Sequence, residues 1–203
     1  MPWVIILSVL GVIALFFIMI LFVAIGVYNR LVALRNQYQN GFSQIDVQLK
    51  RRYDLIPNLV KIAKGYMSHE RETLEAVVNA RNAAQSALGA ASQNPGDPKA
   101  IQGLAGAEQA LSGSLGRLFA LAEAYPDLKA DGTMMNLQEE LTSTENKVSF
   151  SRQGYNDGVT AYNTYRQSFP PVVFASFFGH PSDAPLLEFD SEAIAEAPEI
   201  SFD

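Results

Sequence analysis

Cysteine is absent from this 203-residue chain, and histidine occurs only twice, as His69 and His180. The lack of cysteine excludes disulfides, zinc–thiolate sites and cysteine nucleophiles. His69-Glu70 starts like the helical zinc motif of metalloproteases, but residue 73 is threonine, where that motif needs its second histidine. The chain also shows no strand followed by a glycine-rich phosphate loop. We therefore expect no catalytic residues, no metal, no cofactor and no small-molecule substrate, and a structural or surface role for His69.

Lysine and arginine are missing from both ends of the chain. All 15 of them lie between Arg30 and Arg166, and the stretch 28–169 also carries 14 aspartates and glutamates. The last 34 residues carry seven acids and no lysine or arginine. A nearly neutral body with an acidic tail lacks the basic patch of a nucleic-acid-binding protein. We expect no nucleic-acid partner.

The longest feature of the sequence is the apolar run Val4–Val27, which contains no charge and one polar side chain, Ser8. As a helix it would be about 36 Å long, enough to cross a hydrocarbon core of about 30 Å. Trp3 and Tyr28 flank it as interfacial aromatic residues, and Arg30 and Arg35 follow. With no basic residue before the run, a cleaved signal peptide is disfavoured. We predict a single-pass anchor in the inner, cytoplasmic membrane, with a short external N-terminus and a cytoplasmic body.

Apolar residues then recur every three or four positions through four segments, which is the pattern of amphipathic helices. The first continues from the anchor, and Pro57 favours a turn near 52–56 with a new helix after it; a kinked continuous helix is the alternative. The third helix follows Asp97-Pro98, and the fourth begins near Asp131 and ends at Pro170. We predict an all-α fold with an anchor (1–27), an antiparallel up-down four-helix bundle (28–170) and an irregular, acidic, Phe-containing tail (171–203). The third helix is rich in glycine, and we expect close helix packing there, at Gly103, Gly106, Gly113 and Gly116.

The tail combines apolar clusters with acids and prolines. Three interpretations remain open: it packs over the bundle, it docks on a neighbouring subunit, or it is a disordered acidic tail, above all beyond Ala193. The candidate docking residues are Phe174, Phe177, Phe178, Leu186, Leu187 and Phe189.

Two groups of polar residues are candidates for interaction. Lys50, Arg51, Arg52 and Asp54 form the densest charge group, and we expect Lys50 to pair with Asp46 four residues before it. This corner either caps and holds a helix end or binds an acidic partner, for which the acidic tail of another subunit is one candidate. Along the fourth helix we expect a buried polar network that fixes helix register, with a ligand pocket as the alternative. Its residues are Glu145, Asn146, Arg152, Tyr155 and Asn156, continued by Tyr162 and Asn163.

Three separated segments resemble the LemA family: YNRLVALRN (28–36), SQIDVQLKRRYDLIPNLVKIAKGYMSHERETLEAVVNAR (43–81) and YNDGVTAYNTYRQSFP (155–170). The resemblance implies one N-terminal membrane helix and an antiparallel helical bundle, with no enzymatic activity attached to the family. It also implies relatives in the magnetosome membrane, implicated in membrane remodelling, and a genomic association with HtpX-type membrane metalloproteases and TPM-domain proteins. These last are hints about partners and do not follow from the residues.

We therefore expect a non-enzymatic, membrane-anchored scaffold or adaptor that forms homo-oligomers or binds protein partners. One alternative is a regulator of a membrane protease, docked through the tail. The other is a ligand-binding bundle that uses Glu145, Arg152 and Tyr155.

Overall fold

The computed structural model describes residues 2–188, and these residues form helices and no strand. The all-α class is thereby confirmed. The predicted docking residue Phe189 and the acidic residues after it lie outside the described residues. The helices are α1 (Pro2–Tyr66), α2 (Arg71–Gln93), α3 (Pro98–Ala122), α4 (Pro126–Lys129), α5 (Gly132–Gln167) and α6 (Pro171–Phe174).

The first helix runs through Pro57 without a turn, so the preferred prediction of a break at 52–56 is wrong. Its buried stripe runs from Ile56, just before the proline, to Leu59 and Ala63 beyond it, and the chain turns only between Tyr66 and Arg71. Pro57 itself is exposed and leaves the Tyr53 carbonyl without its helical N–H donor. Nε of Arg81 in α2 donates to that carbonyl at 3.1 Å. A side chain from the neighbouring helix thus replaces the backbone bond that the proline removes.

Two helix starts agree with the sequence prediction, because each depends on local capping chemistry. The Asp97 carboxylate accepts the N–H of Lys99 at 2.9 Å, and Pro98 is the first residue of α3. The Asp131 carboxylate accepts the N–H groups of Thr133 and Met134 at 2.8 and 3.0 Å at the start of α5. Between them, α3 ends at Ala122, and the short helix α4 lies in the connection to α5.

Contacts along the bundle show that α2 and α5 both run back along α1. Ser92, near the end of α2, donates to Asp46 at 2.8 Å, and Tyr66, at the end of α1, donates to Asp131 at 3.0 Å. Helix α5 packs mainly on α1, and α3 packs mainly on α2. The end of α1 that leaves the apolar run therefore lies beside the end of α5, and we call this end of the bundle proximal.

Glycine permits the close approach of α1 and α5. A Cβ on Gly41 would lie 3.1 Å from Cα of Tyr155, and a Cβ on Gly158 would lie 3.2 Å from Cα of Tyr38. The glycines of α3 behave differently, since a Cβ at Gly103, Gly106, Gly113 or Gly116 would meet nothing within 4 Å. The predicted helix packing through the α3 glycines is therefore wrong.

The apolar part of α1 projects away from the rest of the protein. Its most apolar window has no buried residue, whereas the core helix of a soluble protein of this hydropathy would be mostly covered. Among the described residues, α1 is the one helix that is both long enough and apolar enough to cross a membrane. Its exposed side chains, from Trp3 onward, need an apolar environment that the bundle does not supply.

Candidate functional site

An open groove runs along the outer face of the α1–α5 pair. It has a volume of about 1020 Å³ and is lined by Gln44 and Gln48 of α1 and by a row of α5 residues between Met135 and Gly154. Most of the α5 lining is polar, but Phe150 is 79% exposed and Met135 is 54% exposed. These two side chains lie about 22 Å apart along α5 and give the polar groove two exposed apolar contact points. We treat this groove as the candidate docking surface.

The predicted charged corner divides between two sides of α1. Lys50 pairs with Asp46 at 2.6 Å, as expected from their spacing, and both Arg51 and Asp54 are exposed. Arg52 instead points into the bundle and is only 5% exposed. These residues do not form one cationic corner, because successive side chains on a helix point about 100° apart.

Arg52 joins a buried polar cluster that links α1 to α3. Its guanidinium donates to Glu108 at 3.1 Å and to Ser112 at 3.1 Å, and the Tyr53 hydroxyl donates to the same carboxylate. Burial raises the pKa of Glu108 above its ordinary value, against the opposing effects of Tyr53 and Arg52. Burial and the neighbouring carboxylate also raise the pKa of Tyr53. The ion pair between Arg52 and Glu108 fixes α3 on α1, because either charge left alone in the core would be strongly unfavourable.

The predicted polar network of α5 is divided in the same way. Glu145 and Asn146 are exposed, whereas Tyr155 is fully buried. The Tyr155 hydroxyl lies 2.9 Å from the carbonyl oxygen of Pro95 and 2.8 Å from that of Pro185. Glu145 and Tyr155 therefore do not line one internal pocket.

Two asparagines of α5 hold the tail through paired hydrogen bonds. The Asn156 side chain donates to the Leu187 carbonyl at 3.1 Å and accepts the Leu187 N–H at 2.9 Å. The Asn163 side chain makes the same pair with Ala184, at 2.9 and 2.8 Å. Since the tail also borders the start of α3, it lies between α3 and α5 on its own bundle.

At the proximal end, Arg166 and His180 secure the start of this tail. Arg166 donates to the carbonyl oxygens of His180 and Pro181 at 3.0 and 2.6 Å and pairs with Asp183 at 2.8 Å. Nδ1 of His180 lies 2.9 Å from the Tyr162 hydroxyl. Burial, followed by the charges of Arg35 and Arg166, holds the pKa of His180 below its ordinary value.

The candidate docking residues of the tail take different positions. Leu187 is fully buried against the bundle, and Phe174 and Phe178 are partly buried and stack on each other at 5.9 Å between ring centroids. Phe177 is 87% exposed and Leu186 is 42% exposed. At the anchor, Trp3, Tyr28, Arg30 and Arg35 are all exposed. Up to Glu188, the tail packs over the bundle, and this was one of the three open interpretations.

The sequence prediction missed Arg81, Arg166 and Asp183 as contact-making residues, whereas it placed Asn163 in the polar network of the fourth helix. One signal for the tail contacts was present: Tyr-Asn occurs twice, seven residues apart, at 155–156 and 162–163. Residues seven apart share one helix face, so this repeat places the two asparagines in one row and the two tyrosines in a neighbouring row. What the row binds is not visible in the sequence, because the tail turns back on α5 only after Gly179, whose φ is +80°.

Comparison with known proteins gives a family and distant relatives. The sequence model of the LemA family matches residues 41–202. Magnetosome protein MamQ of Magnetospirillum gryphiswaldense is 26% identical over 167 residues, which cover 75% of this chain and 61% of MamQ. Magnetosome protein MamQ 2 of Paramagnetospirillum magneticum is 26% identical over 158 residues, or 70% of this chain and 58% of that protein. Protein LemA of Metamycoplasma hominis is 26% identical over 167 residues, or 78% of this chain and 72% of that protein. The chain thus spans about three fifths of the length of the two MamQ relatives.

Proposed function

Because this chain belongs to the LemA family, a family of membrane-associated helical proteins, we propose that it is a non-enzymatic scaffold that self-assembles on a membrane surface. The observation that carries the proposal is the continuity of α1. One helix of 65 residues contains both the apolar run and one wall of the bundle. With no linker between them, the anchor fixes the direction in which the bundle stands.

Anchoring also favours contact between copies of the chain. Copies in one membrane with the same topology stand in parallel, and their local concentration is far above that of a soluble protein. The groove on the α1–α5 face is lined over residues 135–154 of α5, which corresponds to about 30 Å along the helix. We assign it to a second copy, because a parallel neighbour presents its own helices along that direction.

Size and proximity measurements test this proposal on the full chain. Extraction in mild detergent with light scattering should give a particle larger than one chain, and Phe150→Gln should shift it toward the monomer. Val78→Gln is the matched control, since Val78 is exposed on α2, away from the groove. A particle of one chain for the wild type would refute self-assembly, and equal effects of the two substitutions would refute the groove as its site.

The same question can be put in vesicles, because the chain has no cysteine. Ser86 is exposed on α2 and does not line the groove, so a single Ser86→Cys variant can be labelled with donor and acceptor dyes. Energy transfer between copies should fall on dilution with unlabelled wild type and should be weaker in the Phe150→Gln background. No transfer at any protein-to-lipid ratio would contradict the proposal.

We also propose that the bundle is cytoplasmic, as the distribution of arginine around the apolar run favours. Protease attack on the tail is a poor test of this topology, since the tail is held on α5 up to Leu187. A membrane-impermeant thiol reagent on Gln85→Cys is more direct, because Gln85 is exposed on α2. Labelling in inverted vesicles but not in intact cells is expected, and the reverse pattern would overturn the assignment.

A further inference from the structure

We infer that the proximal corner of the bundle, residues 169–178, inserts into the bilayer interface and forms a second membrane contact beside α1. The inference requires that the apolar run spans a membrane, and it does not depend on self-assembly. It assigns to lipid an exposed apolar surface that the sequence indicated only as a candidate for protein docking.

The height of the corner follows from its contacts with α1. The Phe178 ring meets Tyr28 edge-on, with 5.4 Å between ring centroids. Helix α6 contacts both α1 and α5, and Val27, the last residue of the apolar run, is buried. The corner therefore lies where the apolar run ends, which is the level of the membrane interface if the run spans the bilayer.

The corner is also the most exposed apolar surface of the described bundle. Phe169 is 83% exposed, Phe177 is 87% exposed, and Val172 and Val173 are each more than half exposed. The stacked rings of Phe174 and Phe178 lie in the same segment and are partly buried, so the exposed side chains stand on a packed base. Aromatic side chains at this level favour the interface over water.

The charges around the corner fit a lipid surface. No aspartate or glutamate lies between Asp157 and Asp183 or in α1 before Asp46, and Asp183 is paired with Arg166. Arg30 and Arg35 are exposed next to the corner on α1. Cations without competing acids attract anionic headgroups, whereas an acidic rim would repel them. A bilayer is therefore the occupant that fits position, exposure and charge together.

Lipid-borne quenching in vesicles tests this directly on the full chain. Phe177→Cys is labelled with an environment-sensitive dye, and the protein is reconstituted in vesicles of phosphatidylcholine and phosphatidylglycerol. Part of the lipid carries a nitroxide near the headgroup. Val47→Cys is the matched control, because Val47 is 57% exposed, does not line the groove and lies roughly 29 Å further along α1 than Tyr28. Both positions are exposed, so neither change threatens folding.

We expect nitroxide lipid to quench position 177 several-fold more than position 47, and aqueous iodide to quench them in the opposite order. A label at Val172→Cys should behave like position 177, which guards against loss of insertion on removing the phenylalanine. Equal lipid quenching at positions 177 and 47 would overturn the inference. It would also be overturned if the emission at 177 followed the protein-to-lipid ratio and not the nitroxide lipid, because a second copy would then cover the corner.

Discussion

The hydrogen bond from Arg81 to the Tyr53 carbonyl can be measured by itself in a double-mutant cycle with Pro57. Pro57 cannot donate to this carbonyl, and Nε of Arg81 does so at 3.1 Å. Arg81→Met keeps most of the aliphatic stem and removes this donor, together with the exposed hydrogen bonds of Arg81 to Asn82 and Gln85 on its own helix. The coupling with Pro57 separates the first bond from the other two. The partly buried carbonyl is then left without a partner, and α2 loses one of its attachments to α1.

The expected cost follows from the kind of bond. A hydrogen bond from a charged donor contributes about 1.5–3 kcal/mol, and partial exposure places this one near the lower end. In the Pro57→Ala background the new N–H of residue 57 can reach the same carbonyl, so Arg81→Met should cost about 1 kcal/mol less there. The coupling between the two positions is therefore the measured quantity, and it should be positive only if Arg81 replaces the missing backbone bond.

Chemical denaturation of the full chain in mild detergent, followed by circular dichroism, gives the four free energies of unfolding. Arg71→Met is the control, because Arg71 is an exposed arginine of the same helix that forms an exposed pair with Glu75, and it should change little. Equal costs of Arg81→Met with and without Pro57 would refute the explanation of how α1 tolerates its proline.

Three further predictions concern helix packing and the tail. Gly158→Ala should destabilise the fold by about 1–3 kcal/mol, because its Cβ would press on Tyr38, whereas Gly113→Ala on open α3 should stabilise it by up to about 1 kcal/mol; denaturation shows whether the signs differ. Asn163→Asp cannot donate to Ala184, so proteolysis near residue 184 should become faster, while Asn136→Asp at an exposed site of α5 should have no effect. Burial lowers the pKa of His180 in the fold from the ordinary imidazole value, which the side chain regains when the tail is released. The released tail therefore takes up a proton first, and docking should weaken as the pH falls below that ordinary value, about 6.5. Hydrogen exchange of the tail amides measures this, and an unchanged pH dependence in His180→Asn, which removes the ring facing Tyr162, Arg166 and Arg35, would contradict it.

Local chemistry explains which parts of the fold were predictable. The apolar run needs only composition and length, and the starts of α3 and α5 need only an aspartate followed by a helix. Pro57 misled the prediction because the residue that compensates for it lies in another helix. Predicting a helix break from the residues next to the proline takes no account of Arg81, which lies in α2.

Side-chain direction explains the errors at the candidate sites. Lys50, Arg51 and Arg52 are adjacent in sequence, yet Arg52 lies on the buried stripe with Leu49 and Ile56. Glu108 likewise occupies the buried stripe of α3. An arginine on one buried stripe and a glutamate on another indicate a buried ion pair, and the helical periodicity of the sequence places both residues on such stripes. Which two stripes face each other depends on the order of helices in the bundle, and that order is a tertiary property.

Because the tail packs on the bundle, its part in assembly must be tested separately from its part in folding. Deleting residues 171–203 would remove the proximal corner, uncover the surface that Leu187 buries, and leave Asn156 and Asn163 without partners. A change in assembly after such a deletion would therefore not identify its cause. Single substitutions do: Phe177→Cys addresses the membrane contact, Asn163→Asp addresses tail docking, and Phe150→Gln addresses the groove. If assembly is lost with Phe150→Gln and retained with Asn163→Asp, then the α1–α5 face joins the copies and the tail stabilises the bundle from within.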